Sequence, residues 1–272
     1  MGLVTRIGAW AMRSAVLSPA DDLKLAVAIG LTDISLCVHG ADPGKPFKPF
    51  VSPAQFARIA QMCLAVGITP HAMFWPQPRA AHAANVLAYL HDTLRAGAPL
   101  GSADLDAEGP WCKSPHLAKH GKAIAAQYRA GWPVGLPLVV NAITRELDDP
   151  KTAAPWDGPL KELVAVADVV IPQAYTSTVP GQTSTPGQRQ TQVIVAWREA
   201  APHARMILGI AAYGQEGAGG LTAKEALTRA WDAGEAGGVT EVRCWDLSAL
   251  RNGPARKFVE AKCRAIRGGF GR

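Results

Sequence analysis

Three carboxylates alternate in the stretch Gly101-Ser102-Ala103-Asp104-Leu105-Asp106-Ala107-Glu108, which is followed at once by Gly109-Pro110-Trp111. On a strand, alternate side chains share a face. Asp104, Asp106 and Glu108 would then stand on one side, with Leu105 and Ala107 on the other. The row covers roughly 13 Å at ~3.3 Å per residue. Like charges on one buried face raise one another's proton affinity, so at least one carboxyl should keep its proton near neutral pH. A protonated carboxyl beside an ionised one is the arrangement that glycoside hydrolysis requires. A solvated strand with three acids is the alternative. The strand-forming neighbours and the immediate Gly-Pro stop argue against it.

Such a row needs a scaffold that turns one face inward, and the flanking sequence predicts one. Strand and helix patterns alternate along the chain. Strands are expected at 6–12, 32–38, 68–75, 100–108, 134–142, 168–175, 206–213 and 239–247. Helices are expected at 18–29, 53–66, 79–96, 115–131, 157–167, 185–200, 221–234 and 250–267. Ser52-Pro53 and Ser114-Pro115 read as helix starts, cap followed by first-turn proline. Eight strand–helix units imply parallel crossovers and a closed (β/α)8 TIM barrel over residues 1–272, a single α/β domain without repeats or linkers. An open doubly wound sheet is the alternative, and the strand count disfavours it.

In such barrels chemistry sits at the C-terminal strand ends. Those ends supply Trp10, His39, Trp75, Glu108, Asn141, Gln173 with Tyr175, Tyr213, and Trp245 with Asp246. Aromatic faces, amides and acids together suit a carbohydrate cleft. Taken singly, Trp10 or Trp75 could equally plug the barrel, and His39 and Asn141 could satisfy loop backbone.

The chain's 272 residues, 48% of them hydrophobic, suffice for one large core. A net charge of +6 favours an anionic partner such as a cell-wall polymer. No dense basic run with interleaved aromatics appears, which argues against nucleic acid. The five cysteines are scattered with no CxxC pair. That pattern implies free thiols, a reducing compartment and no zinc site. Cys112 lies near the acids but lacks the basic neighbour a thiol nucleophile needs. The amino-terminal residues have no signal-peptide core, and no apolar run is long enough to span a membrane.

Asp104-x-Asp106-x-Glu108 at the end of the fourth strand resembles the DxDxE motif of glycoside hydrolase family 18. Gln173-x-Tyr175 on the sixth strand looks like the Gln-x-Tyr of the hevamine-type branch. Trp245 is similar to the family's tryptophan floor, and Gly209-Ile210-Ala211-Ala212-Tyr213-Gly214 resembles its seventh strand. The fuller motif begins with Asp-Gly, where Gly101-Ser102 stand here. Family 25 lysozymes are a weaker match, because the first strand, Ile7-Gly8-Ala9-Trp10, lacks their aspartate.

The resemblance implies retaining cleavage of β-1,4 bonds after an N-acetylhexosamine. Glu108 would be the general acid. Asp106 would hold the acetamido N–H, and Tyr175 would donate to the same group beside Gln173. Trp245 would form the floor, and Asp104 would share a proton with Asp106. Trp10, Trp75, Tyr213, Asp246 and Asn141 would complete substrate binding. No cofactor or metal is implied. A monomer acting on peptidoglycan fits a free-thiol protein without an export signal, either released like a phage endolysin or delivered as an effector; chitin is the other polymer. Two further classes stay open. One is a non-catalytic glycan-binding barrel. The other is a metabolic barrel that holds a phosphate at Gly217-Ala218-Gly219-Gly220.

Overall fold

The computed structural model describes residues 3–40, 47–108, 111, 115–143, 159–175, 185–212, 221–253 and 255–269. Within these the chain is a closed parallel barrel. In order the strands are β1 (Arg6–Ala11), β2 (Asp33–His39), β3 (Thr69–Phe74), β4 (Ser102–Asp106), β5 (Leu138–Ile143) and β6 (Val169–Gln173). The seventh strand, β7, is staggered into two pieces, Arg205–Met206 and Leu208–Ala211, both paired with β6. The last, β8 (Glu241–Trp245), pairs with β7 on one side and with β1 on the other, which closes the ring. All neighbours run parallel.

Helices between successive strands cover the outside, and their starts follow local chemistry. Ser52 caps helix Pro53–Ala65 in a reciprocal box: its hydroxyl accepts from the Gln55 amide, and Gln55 Oε1 accepts from the Ser52 amide at 3.0 Å. Thr222 and Glu225 repeat that box at helix Ala223–Ala236. Pro19 opens helix Pro19–Ile29, though Ser18 makes no capping bond there. A short helix the sequence did not announce, Arg13–Leu17, precedes it.

Two apolar layers result from the alternation along each strand. Ala103, Leu105 and Ala107 join the large core between sheet and helices. Trp10, Cys37, Met73, Val139, Val169, Ile171 and Ile207 fill the barrel interior. Gly209 makes that filling possible: a Cβ there would lie 2.9 Å from Pro172 O and 3.0 Å from the Trp10 ring. Among the described residues no helix is long and apolar enough to cross a membrane.

Candidate active site

β4 is shorter than its expected span of 100–108. Pairing with β5 continues through the Ala107 amide, which donates to Asn141 O at 2.7 Å. The chain then leaves the sheet, and the Trp111 amide returns to Glu108 O at 3.3 Å. Asp104 and Asp106 therefore sit inside the barrel, fully buried, while Glu108 stands just past the strand end and half-buried.

Asp106 is the centre of a polar cluster. Its Oδ1 accepts from Gln173 Nε2 at 2.9 Å, and the same amide donates to Asn141 Oδ1 at 2.9 Å. Strand register explains the meeting: Asp106 pairs with Asn141, and Gln173 with Ile143. Asp106 Oδ2 and Asn141 Nδ2 have no hydrogen-bond partner among the described residues. Burial, then the charge of Glu108 and, more weakly, that of Asp104, raise the Asp106 proton affinity well above the ordinary carboxylate range. Burial and acidic neighbours thus favour the protonated form at Asp106.

Asp104 has other companions than the expected proton share with Asp106. Its Oδ2 accepts from Arg243 Nη1 at 2.9 Å and from Ser35 Oγ at 2.7 Å, and its Oδ1 accepts from Ser102 Oγ at 2.8 Å. Arg243 Nη2 also donates to Glu241 Oε1 at 2.9 Å, and Arg205 meets the other Glu241 oxygen at 2.7 Å. His71 contacts Ser102 Oγ at 2.7 Å and Asp33 Oδ1 at 3.0 Å, and Asp33 is paired with Arg6. This network below the acid row escaped sequence reasoning. Its signal was there in Asp33-x-Ser35 and Glu241-x-Arg243, polar residues at strand period inside apolar runs.

The aromatic residues divide into floor and support. Trp245 is half-buried and carries Trp10 beneath it, ring centroids 5.8 Å apart; Tyr175 lies 6.3 Å from it on the other side. Trp10 is 0% exposed. It supports Trp245 from inside the barrel, the plugging position that the sequence left open beside sugar binding. A cis peptide joins Trp245 to Asp246. Asp246 turns Oδ1 onto its own loop, accepting from Ser248 Oγ and from the Ala249 amide.

Trp75 is half-buried at the end of β3, and its amide donates to His39 Nδ1 at 3.3 Å. Burial, with a lesser contribution from His82, pushes the His39 proton affinity down to about 4, so the ring is neutral. Its Nε2 lacks a partner among the described residues. Tyr213, Cys112 and Gly217 to Gly220 lie outside the described residues. The described cysteines, Cys37, Cys63, Cys244 and Cys263, are free and buried. Among the described residues no group of three or more His, Cys, Asp or Glu is placed to hold a metal ion.

No protein-family model and no curated protein sequence matches the chain. Solved structures do match in fold. The Bacillus cereus spore cortex-lytic enzyme SleL superposes with TM-score 0.65 at 12% identity, over 97% of this chain and 75% of that one. The xylanase and α-amylase inhibitor protein XAIP-I, solved with trehalose, gives 0.65 at 11% over 96% and 98%. The Chromobacterium violaceum chitinase gives 0.56 at 14% over 96% and 99%. Identities this low establish the shared barrel. One of the three is an inhibitor, so the barrel alone does not decide between catalysis and binding, and the side chains must.

Proposed function

We propose that this chain is a retaining glycoside hydrolase cleaving β-1,4 bonds of N-acetylhexosamine polymers, of the endo-β-N-acetylhexosaminidase or muramidase type. The observation that carries the reading is the Asp106 cluster. A buried, proton-bearing carboxyl keeps one oxygen unpartnered at the barrel mouth, next to a half-buried Glu108 and beside an aromatic floor. Leaving such atoms unpaired costs stability, and a ligand that pairs them recovers it.

In this reading Glu108 protonates the departing glycosidic oxygen as general acid. The acetamido oxygen of the substrate attacks its own anomeric carbon, so no second enzyme carboxylate is needed as nucleophile. Asp106 accepts the acetamido N–H through its unpartnered Oδ2 and offsets the positive charge of the cyclic intermediate. As that charge develops, the Asp106 proton passes to Glu108, replacing the one Glu108 delivers to the glycosidic oxygen, and the Asp106 anion so formed is worth most at that moment. Gln173 and Asn141 hold Asp106 in place. Tyr175, against Trp245, donates its hydroxyl to the acetamido group. Trp245 receives the apolar face of the sugar.

Peptidoglycan is the proposed polymer and chitin the alternative. The net charge of +6 supports attraction to an anionic wall, and the neighbours named a spore cortex-lytic enzyme and a chitinase support a cell-wall or chitin-like polymer. The buried free thiols support synthesis in a reducing compartment, followed by release or delivery to the wall as an endolysin or effector. Incubation with purified sacculi and with chitin oligomers, followed by mass spectrometry of the reducing ends, tests the assignment. New reducing ends at N-acetylhexosamine are expected.

The inhibitor neighbour favours one other reading, a barrel that binds glycan without turnover. Retention of chitin oligomers with no reducing ends formed would establish it.

A further inference from the structure

We propose that Arg243 is a positioning residue of the acid row. By holding Asp104 and Ser35 from below, it keeps Asp104 away from Asp106 and leaves Asp106 to Gln173 and Glu108. The inference rests on the glycosidase reading only for its activity readout.

The geometry is fully buried and specific. Arg243 Nη1 forks to Asp104 Oδ2 at 2.9 Å and Ser35 Oγ at 2.6 Å, and Nη2 reaches Glu241 at 2.9 Å. With Ser102 on the other oxygen, both Asp104 oxygens are engaged on the side away from the mouth. Room for the guanidinium comes from Gly8, which pairs with Arg243 on β8 and with Asp33 on β2. A Cβ at Gly8 would lie 3.2 Å from Arg243 Nε and 2.9 Å from Asp33 Cβ. A planar fork satisfies a carboxylate and a hydroxyl together in a way an ammonium does not.

Several titratable or charged groups bear on Asp106. Asp104 and Glu108 flank it on its own strand, and Cys37 faces it from β2 as a neutral thiol, burial pushing that thiol up to about 12. Tyr175 follows Gln173 beyond β6, and β5 presents the uncharged Asn141. Arg243 on β8 is the cation among them, and it meets Asp104. Arg243 offsets part of the Asp104 charge that bears on Asp106. Loss of Arg243 leaves the Asp104 charge unopposed towards Asp106; loss of the Asp104 charge removes an anion from beside Asp106 and leaves Arg243 to Glu241.

The test follows the Asp106 side-chain carboxyl carbon by NMR titration, with the pH profile of kcat/KM alongside. Arg243→Met should move the Asp106 midpoint up, and Asp104→Asn should move it down, each by on the order of one pH unit. The double variant should return it close to the wild-type value, and Arg243→Lys should recover it in part. A role in holding the barrel together would lower the unfolding midpoint without these opposed shifts. An unmoved midpoint in Asp104→Asn, which preserves shape if Arg243→Met does not fold, would overturn the proposal. So would a double variant that stays at the Asp104→Asn value. Opposed shifts in a protein that cleaves no glycan would uphold the Arg243 role and reject the glycosidase reading.

Discussion

Asp33 and Asp106 are both buried aspartates inside one barrel, and they are held in opposite ways. Asp33, at the start of β2, is gripped by Arg6, His71 and Thr32. These contacts overcome the cost of burying its charge and hold it below the ordinary carboxylate range. Asp106, at the end of β4, has one amide donor, an unpartnered oxygen and an acidic neighbour, which push its proton affinity up. The same contrast runs through the interior. The entry end of the barrel is laced by Arg6, Asp33, His71, Ser102, Asp104, Arg243 and Glu241, where, among the described residues, only Arg243 Nε is left over. The mouth leaves Asp106 Oδ2, Asn141 Nδ2, His39 Nε2 and Trp10 Nε1 unpaired among the described residues. Charges at one end are paired; the unpaired polar atoms at the other are those to which the proposed function assigns a ligand.

The sharpest separation of the two ends comes from the mouth. Glu108→Gln should lower glycan cleavage by about 10²–10⁴-fold while the thermal midpoint stays put. Under the aromatic floor, Trp10→Ala should cost about 3–5 kcal/mol in denaturant unfolding, because its side chain is wholly enclosed.

Asp33→Asn should cost about 1.5–3 kcal/mol, the scale of hydrogen bonds to a charged group, since the Arg6 partner left behind is partly solvated, with cleavage by the folded fraction retained. It should also flatten acid unfolding. Asp33 has its folded proton affinity lowered, so its stabilisation is present above the ordinary carboxylate range and lost as pH falls. Asp106 has the opposite sign, its contribution being present at low pH and lost as pH rises through its raised value. Asp106→Asn should therefore keep or raise the neutral-pH midpoint while abolishing turnover. Smallest of the set, Trp245→Ala should raise KM about tenfold, the equivalent of ~1.4 kcal/mol of sugar stacking, with little change in stability.

Much of the scaffold could be read from local signals. Ser-Pro helix starts such as Ser52-Pro53, apolar periods and the alternation of strand with helix are short-range patterns, and the eight strands lie where they predict. So does the inward row of Asp104 and Asp106 with Leu105 outward. What could not be read depends on contacts across the barrel. The stagger of β7 is set by its neighbours on β6 and β8. The shift of Asp104 from proton sharer to ion-pair partner needs Arg243, distant in sequence and adjacent only when the ring closes. Trp10 is turned from sugar platform to buried support by the space that Gly209 leaves open.

The central claim is that one acid at the mouth acts together with the acetamido group of the sugar. Proton NMR of the first products from a β-linked N-acetylglucosamine oligomer tests it most directly. The account predicts that the β anomer appears first at the new reducing end. First formation of the α anomer, or no reducing ends at all, would contradict it.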